Sequence, residues 1–180
     1  IADAKRGDIG NTSAQYAKTF FETLPFDAIT VAPYMGKDSI DPFLAYQNKW
    51  TIVLGLTSNP GSQNFEQQKL ANGQFLYESV LEQVASWGSP EQLMFVVGAT
   101  KAKELESIRK IIPAHFLLVP GVGAQGGSLS EVTAYGKNNE VGLLINASRA
   151  VIFASSGANF AEDAAIAAKG YADEMKALLS

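Results

Sequence analysis

The chain has no cysteine, which removes disulfides, thiolate nucleophiles and thiolate metal sites from consideration. Histidine occurs once, at His115, and a lone imidazole without thiols is a poor basis for a transition-metal centre. No apolar run approaches the roughly 20 residues that a bilayer-spanning helix needs. An excess of basic residues is missing too: 14 Lys and Arg against 18 Asp and Glu give a formal net charge of −4. The basic surface expected of a nucleic-acid binder is therefore not indicated. A small anionic substrate stays possible, because one or two local cations decide that and net charge does not. The opening Ile1-Ala2-Asp3-Ala4-Lys5 lacks the pattern of a signal peptide. The absence of cysteine is compatible with a reducing compartment, and a cytoplasmic location is the expectation. Initiator Met is also absent, and the chain opens inside a strand end. We read residue 1 as a cut, or as the first ordered residue of a longer chain.

What is present is one domain's worth of core. The 180 residues are 47% hydrophobic and only 18% charged, with no linker, charge block or low-complexity stretch. Continuous apolar runs at residues 27–33 (DAITVAP), 51–57 (TIVLGLT), 93–98 (LMFVVG), 115–120 (HFLLVP) and 141–146 (VGLLIN) read as strands covered on both faces. A further strand is expected to end near Asp3. Amphipathic helices are expected over residues 12–23, 39–46, 74–87, 101–111, 129–135 and 159–178. Six strand–helix pairs fit either an open doubly wound sheet or a (β/α)8 barrel lacking its first one or two βα units. Polar groups follow nearly every strand and do not gather at a single switch point, which favours the barrel. A complete barrel typically needs about 250 residues, so missing units account for the shortfall.

The densest chemistry lies at the start. In an extended segment Asp3 and Lys5 point to the same side, which on a barrel strand is the lumen at the catalytic rim. A lysine flanked there by Asp3 and Asp8 is a candidate proton donor, its field tuned by the carboxylates. The competing reading is a solvated turn with Asn11 or Thr12 as N-cap of the next helix. Further along, Pro120-Gly121-Val122-Gly123-Ala124-Gln125-Gly126-Gly127 follows a strand directly, and its glycines let backbone N–H groups approach an anion. Arg149, after the last strand, suits bidentate phosphate binding beside that loop, against the alternative of a surface ion pair. Thr57-Ser58-Asn59-Pro60-Gly61 alone would be a capped turn. Residues 62–73 read as a mobile lid or a surface insertion.

The run DAKRGDIGNT resembles the D-x-K-x-x-D-I-x-x-T signature of orotidine 5′-phosphate decarboxylases, with every fixed position matched. APYMGKDS, LTSNPGS, VVGAT, PGVGAQGG and NASR resemble one branch of that family, in the same order. The resemblance implies a ribulose-phosphate-binding type of (β/α)8 barrel that converts orotidine 5′-monophosphate to UMP without metal or organic cofactor. It assigns Asp3, Lys5 and Asp8 to a Lys-Asp-Lys-Asp network, with Lys5 protonating C6 of the pyrimidine and Asp3 near the substrate carboxylate. Asp8, Ile9 and Thr12 would reach into the partner subunit's site, which implies a homodimer. Ser58 would read the pyrimidine edge, and Pro120 would line the pocket beside the carboxylate. Gln125 and Arg149 would hold the 5′-phosphate with the backbone amides of Ser148 and Arg149, under a loop closing over residues 125–130. The family often has Gly where Ser148 stands, which narrows the space there. The network's other lysine belongs to the preceding strand end, before residue 1. Two other readings stay open: a magnesium-dependent sugar-phosphate decarboxylase or aldolase on the same barrel, and a catalytically incomplete fragment.

Overall fold

A computed structural model of the chain describes residues 1–123 and 125–179; Ala124, within the glycine-rich segment, and Ser180 lie outside the described residues. Six strands form one sheet: β1 (Ala2–Arg6), β2 (Ala28–Val31), β3 (Trp50–Leu56), β4 (Leu93–Val97), β5 (Leu117–Pro120) and β6 (Leu143–Asn146). Their spatial order is the chain order, and every neighbouring pair is parallel. A doubly wound sheet reverses its strand order at a switch point. This one never does, so the open-sheet alternative is excluded and the sheet curls as a half-barrel.

Parallel strands need crossovers, and each here contains a helix. These are α1 (Gly10–Lys18, continued by a π-helical turn Thr19–Thr23), α2 (Lys37–Leu44), α3 (Leu76–Ala85), α4 (Leu105–Ile111) and α5 (Leu129–Gly136). After β6 come a short α6 (Arg149–Ile152) and a long α7 (Phe160–Leu179). The alternation of side chains along each strand sorts the core into two layers. Ile29, Val31, Val53, Phe95, Val97, Leu117 and Val119 face the helices and pack with Phe21, Phe43, Leu81, Leu105, Ile108 and Val132. Ala28, Ile52, Met94, Val96 and Leu118 line the concave face with Trp50, Leu54 and Phe116.

Several expected boundaries move, each for a local reason. The first strand runs through Arg6 and does not stop near Asp3. Helix α1 begins at Gly10 with Ile9 as an uncapped N-cap, so Asn11 and Thr12 lie inside it and the capped-turn reading fails. The segment expected as one helix over residues 101–111 divides into a 3₁₀ turn, Ala99–Glu104, itself kinked at Lys101 where φ/ψ are non-helical, and α4. β6 starts at Leu143 because Val141 and Gly142 take positive φ in a turn closed by the Asn138–Val141 bridge. Residues 62–73 are not a free loop. A 3₁₀ turn spans Pro60–Asn64, and the Glu66 carboxylate accepts hydrogen bonds from Thr57 N (2.7 Å) and Thr57 Oγ1 (2.9 Å).

The lone histidine sits just ahead of β5, at the end of the sheet opposite the polar strand ends. His115 is buried against Phe95, ring centroids 5.3 Å apart, and neither ring nitrogen has a hydrogen-bond partner among the described residues. Burial lowers its pKa below the ordinary 6.5, and the nearby Arg109 cation lowers it further. A depressed folded pKa means the unfolded chain takes up the proton first. The stability conferred by the neutral imidazole is therefore complete above pH 6.5 and lost as pH falls below it. Melting temperatures of wild type and His115→Phe, compared at pH 7.5 and at pH 5, should show the wild type losing ground at the lower pH. A pH-independent difference would contradict a neutral buried imidazole.

Candidate active site

Most of the candidate side chains lie at or just beyond the carboxyl ends of the strands, where the polar residues that follow each apolar run must emerge. In β1, Asp3 and Lys5 project from the concave side, and Lys5 Nζ donates to Asp3 Oδ1 at 2.5 Å. The hydrogen bond from Lys5 holds the Asp3 carboxyl below its ordinary pKa; partial burial opposes this, and a hydrogen bond from Thr30 reinforces it. Both side chains are about half exposed, so the pair contributes little to stability, on the order of 1 kcal/mol at most. Such a pair interacts more strongly where water is excluded.

Asp8 is half-buried and accepts a hydrogen bond from the Ile9 backbone N–H at 2.8 Å, with no bond to Lys5. Ile9 and Thr12 are exposed at the start of α1, away from the Asp3–Lys5 pair. Within one chain, then, Asp3 and Lys5 come together while Asp8, Ile9 and Thr12 do not join them.

Across the rim, Ser58 Oγ donates to Gln125 Oε1 at 2.7 Å, which joins the end of β3 to the glycine-rich loop after β5. Two glycines missed as site determinants permit this approach. A Cβ on Gly98 would lie 2.7 Å from Ser58 Cβ, and one on Gly127 would lie 2.4 Å from Ala99 Cβ. Both positions therefore exclude any larger residue. The signal in the sequence was only that each glycine follows a strand.

The loop itself is compact. Gly121, Gly123 and Gly126 have positive φ, and Gly127 N donates to Gly121 O at 3.2 Å. Ser128 Oγ caps α5 by accepting from Glu131 N, so of the expected closing segment only residues 125–127 remain loop. Pro120 ends β5 opposite Asn146 on β6. Ser148 and Arg149 open α6, and an added Cβ on Gly123 would lie 3.2 Å from Ala150 Cβ, so the glycine loop abuts this turn. Arg149 is exposed and has no ion pair among the described residues, which removes the surface-ion-pair reading.

A cavity of about 730 Å³ lies elsewhere, lined by Trp50, Glu91, Arg109, Phe116 and Asn138. Those residues lie ahead of the strands or at their first residue, at the end of a barrel that carries stability and not chemistry. The rim carries the candidate site.

A parallel sheet curled as a half-barrel, with an ion-paired lysine and carboxylate at one strand end and a glycine loop beside an exposed arginine at the last two, places the chain in the (β/α)-barrel class. More particularly, the chain belongs to the orotidine 5′-phosphate decarboxylase / HUMPS family, whose model matches residues 1–164. It is 57% identical over 183 aligned residues to the orotidine 5′-phosphate decarboxylase of Bacteroides fragilis, covering 99% of this chain and 67% of that one. Its identity to the enzyme of the same name from Flavobacterium johnsoniae is 62%, covering 91% of this chain and 60% of that one. The structure resembles that of Leishmania donovani OMP decarboxylase with a TM-score of 0.86 at 37% identity, covering 98% of this chain and 66% of that one. The chain thus spans about two thirds or less of the length of these relatives.

Proposed function

We propose that this chain is the larger part of an enzyme that decarboxylates orotidine 5′-monophosphate to UMP in de novo pyrimidine synthesis. The observation that carries the reading is the Asp3–Lys5 ion pair at a strand's carboxyl end, in register with the family signature, on the same rim as the Ser58–Gln125 contact. In the reaction the bond from C6 to the carboxylate carbon breaks and carbon dioxide leaves. The electron pair stays on C6 and takes a proton from the Lys5 ammonium. Asp3, close to the departing carboxylate, keeps Lys5 aimed. The preceding lysine of the network comes from one or two βα units ahead of residue 1. Ser58 reads the pyrimidine edge, and Pro120 shapes the carboxylate pocket. Gln125, Arg149 and the backbone amides at Ser148 and Arg149 hold the phosphate, whose binding energy closes the site and excludes water.

The enzyme works as a homodimer in the cytoplasm, with Asp8, Ile9 and Thr12 completing the partner's site. Support comes from Asp8, which leaves its own lysine unpaired to it, and from exposed apolar residues beside it. Ile9 is 51% exposed, Tyr34 85% and Phe65 63%; Tyr34 and Phe65 stack edgewise, and Met35 packs near Gly7. Among the described residues no helix is long and apolar enough to cross a membrane.

The test is UMP formation from orotidine 5′-monophosphate by the full-length enzyme in EDTA. Sustained turnover supports the reading; loss of turnover that magnesium restores would favour the metal-dependent sugar-phosphate chemistry of the same barrel. Arg149→Ala should weaken UMP binding by about 10- to 100-fold, as expected for loss of a charge-assisted phosphate contact. Titration calorimetry giving equal affinities for variant and wild type would remove Arg149 from the phosphate site.

A further inference from the structure

Between β1 and β2 the register slips. Ala2 pairs with Ile29 and Arg6 pairs with Val31, so Asp3, Ala4 and Lys5 all lie opposite the single residue Thr30. A bulge leaves backbone groups without ladder partners, and buried ones must find others. Here side chains supply them. Arg6 donates through Nε (2.9 Å) and Nη2 (2.8 Å) to Ala4 O, and Lys5 N donates to Thr30 Oγ1 at 3.0 Å. The bulge also places Lys5 at φ 47°, a left-handed conformation uncommon for lysine.

Thr30 is 1% exposed, so its hydroxyl has no water to turn to. Because Oγ1 accepts from the Lys5 N–H, its own proton is left to donate, and it does so to Asp3 Oδ1 at 2.9 Å. The same carboxylate oxygen receives Lys5 Nζ. One hydroxyl therefore grips the strained backbone of the lysine and the carboxylate of its ion-pair partner at once.

We propose that Thr30 is the positioning residue of the decarboxylase site, holding the Asp3–Lys5 pair in its reactive geometry through these two hydrogen bonds. This rests on the decarboxylase reading above. Thr30 touches neither substrate nor the reacting carbon; it acts by fixing where the ammonium and the carboxylate stand. The lowered pKa of Asp3 is consistent with the second of the two bonds. Without the hydroxyl, Lys5 can relax out of the left-handed conformation, and Asp3 loses the donor that fixes its rotamer.

The experiment uses the full-length enzyme with Thr30→Val, which keeps shape and β-branching but removes the hydroxyl, and Thr30→Ser, which restores it. We expect Thr30→Val to lower kcat by about 10- to 100-fold, the value of a hydrogen bond to a charged group, with KM and UMP affinity within about twofold. Thr30→Ser should recover most of the loss. The Asp3 carboxyl carbon, followed by NMR, should titrate at higher pH in Thr30→Val than in wild type, a readout that needs no turnover. Equal kcat, coincident Asp3 titration, or a loss in kcat matched by UMP affinity and not rescued by serine would overturn the proposal. If Thr30→Val does not fold, Thr30→Cys, a weaker donor of similar size, must show an intermediate kcat, and a wild-type kcat overturns it. Failure of the wild-type enzyme to make UMP while Asp3 still responds to Thr30→Val would instead overturn the decarboxylase reading alone.

Discussion

In the full-length enzyme, Lys5→Ala is expected to lower kcat by about 10⁴-fold or more while UMP affinity stays within a few-fold of wild type. Two losses coincide at this side chain. A positioned general acid is worth about 10² to 10⁴ in rate, and a preorganised charge at a developing anion about 10² to 10³. They are not independent, so the product is an upper bound. Lys5 sits 2.5 Å from Asp3, and in the proposed mechanism its ammonium is the proton source and its removal strands the Asp3 carboxylate beside a substrate carboxylate of like charge. Lys5→Arg separates the two roles, since a guanidinium keeps the charge but does not give up its proton near neutral pH. Arginine should recover little of the rate. Stability should hardly move in either variant, because the ion pair is half exposed. Single-turnover UMP formation and UMP titration together decide it: a wild-type kcat in Lys5→Ala would strip Lys5 of the proton-donor role.

The closeness of Asp3 and Lys5 was legible in the sequence because its signal is local: two residues apart at a strand end, on one side of an extended segment. The same holds for the strand order, since continuous apolar runs separated by helix-length segments leave few topologies. What stayed hidden depends on partners distant in sequence. The bulge that makes Asp3 and Lys5 converge is set by register against Thr30, 27 and 25 residues away. Gly98 and Gly127 could be seen as turn glycines, yet their steric role exists only because Ser58 and Ala99 lie against them in the fold. Short elements such as α6 and the 3₁₀ turn at Pro60–Asn64 carry too few residues to show a period. The competing reading, with Asn11 or Thr12 as N-cap, failed because the helix already begins at Gly10 with Ile9 as its N-cap.

Arg109 is the other large effect, and nothing in the surrounding IRKII sequence announces it. Its guanidinium donates to four backbone carbonyls: Gly136 at 2.6 Å, Ile112 at 3.2 Å, His115 at 2.6 Å and Gly142 at 2.8 Å. These belong to the end of α4, the end of α5, and the turns leading into β5 and β6, so one side chain ties together the connections beneath the last two strands. No carboxylate pairs with it among the described residues, and burial lowers its pKa to about 10, still charged at neutral pH. The charge is held by carbonyl dipoles alone. Arg109→Met keeps the aliphatic stem and takes the side-chain donor from the Gly136, Ile112 and His115 carbonyls, while Gly142 O keeps only the Leu117 N–H, at a cost of about 3–5 kcal/mol. For a domain of this size that corresponds to a fall in Tm of about 6–20 °C. Arg109→Lys, with a compact ammonium of shorter reach, cannot span all four carbonyls and should fall between. Because these contacts lie at the end of the strands away from Lys5 and Gln125, UMP affinity measured below the transition should be unchanged. A Tm within about 2 °C of wild type would mean that water replaces the guanidinium at these carbonyls, and that the two connections are held by the apolar packing of Leu105, Ile108 and Val132 instead.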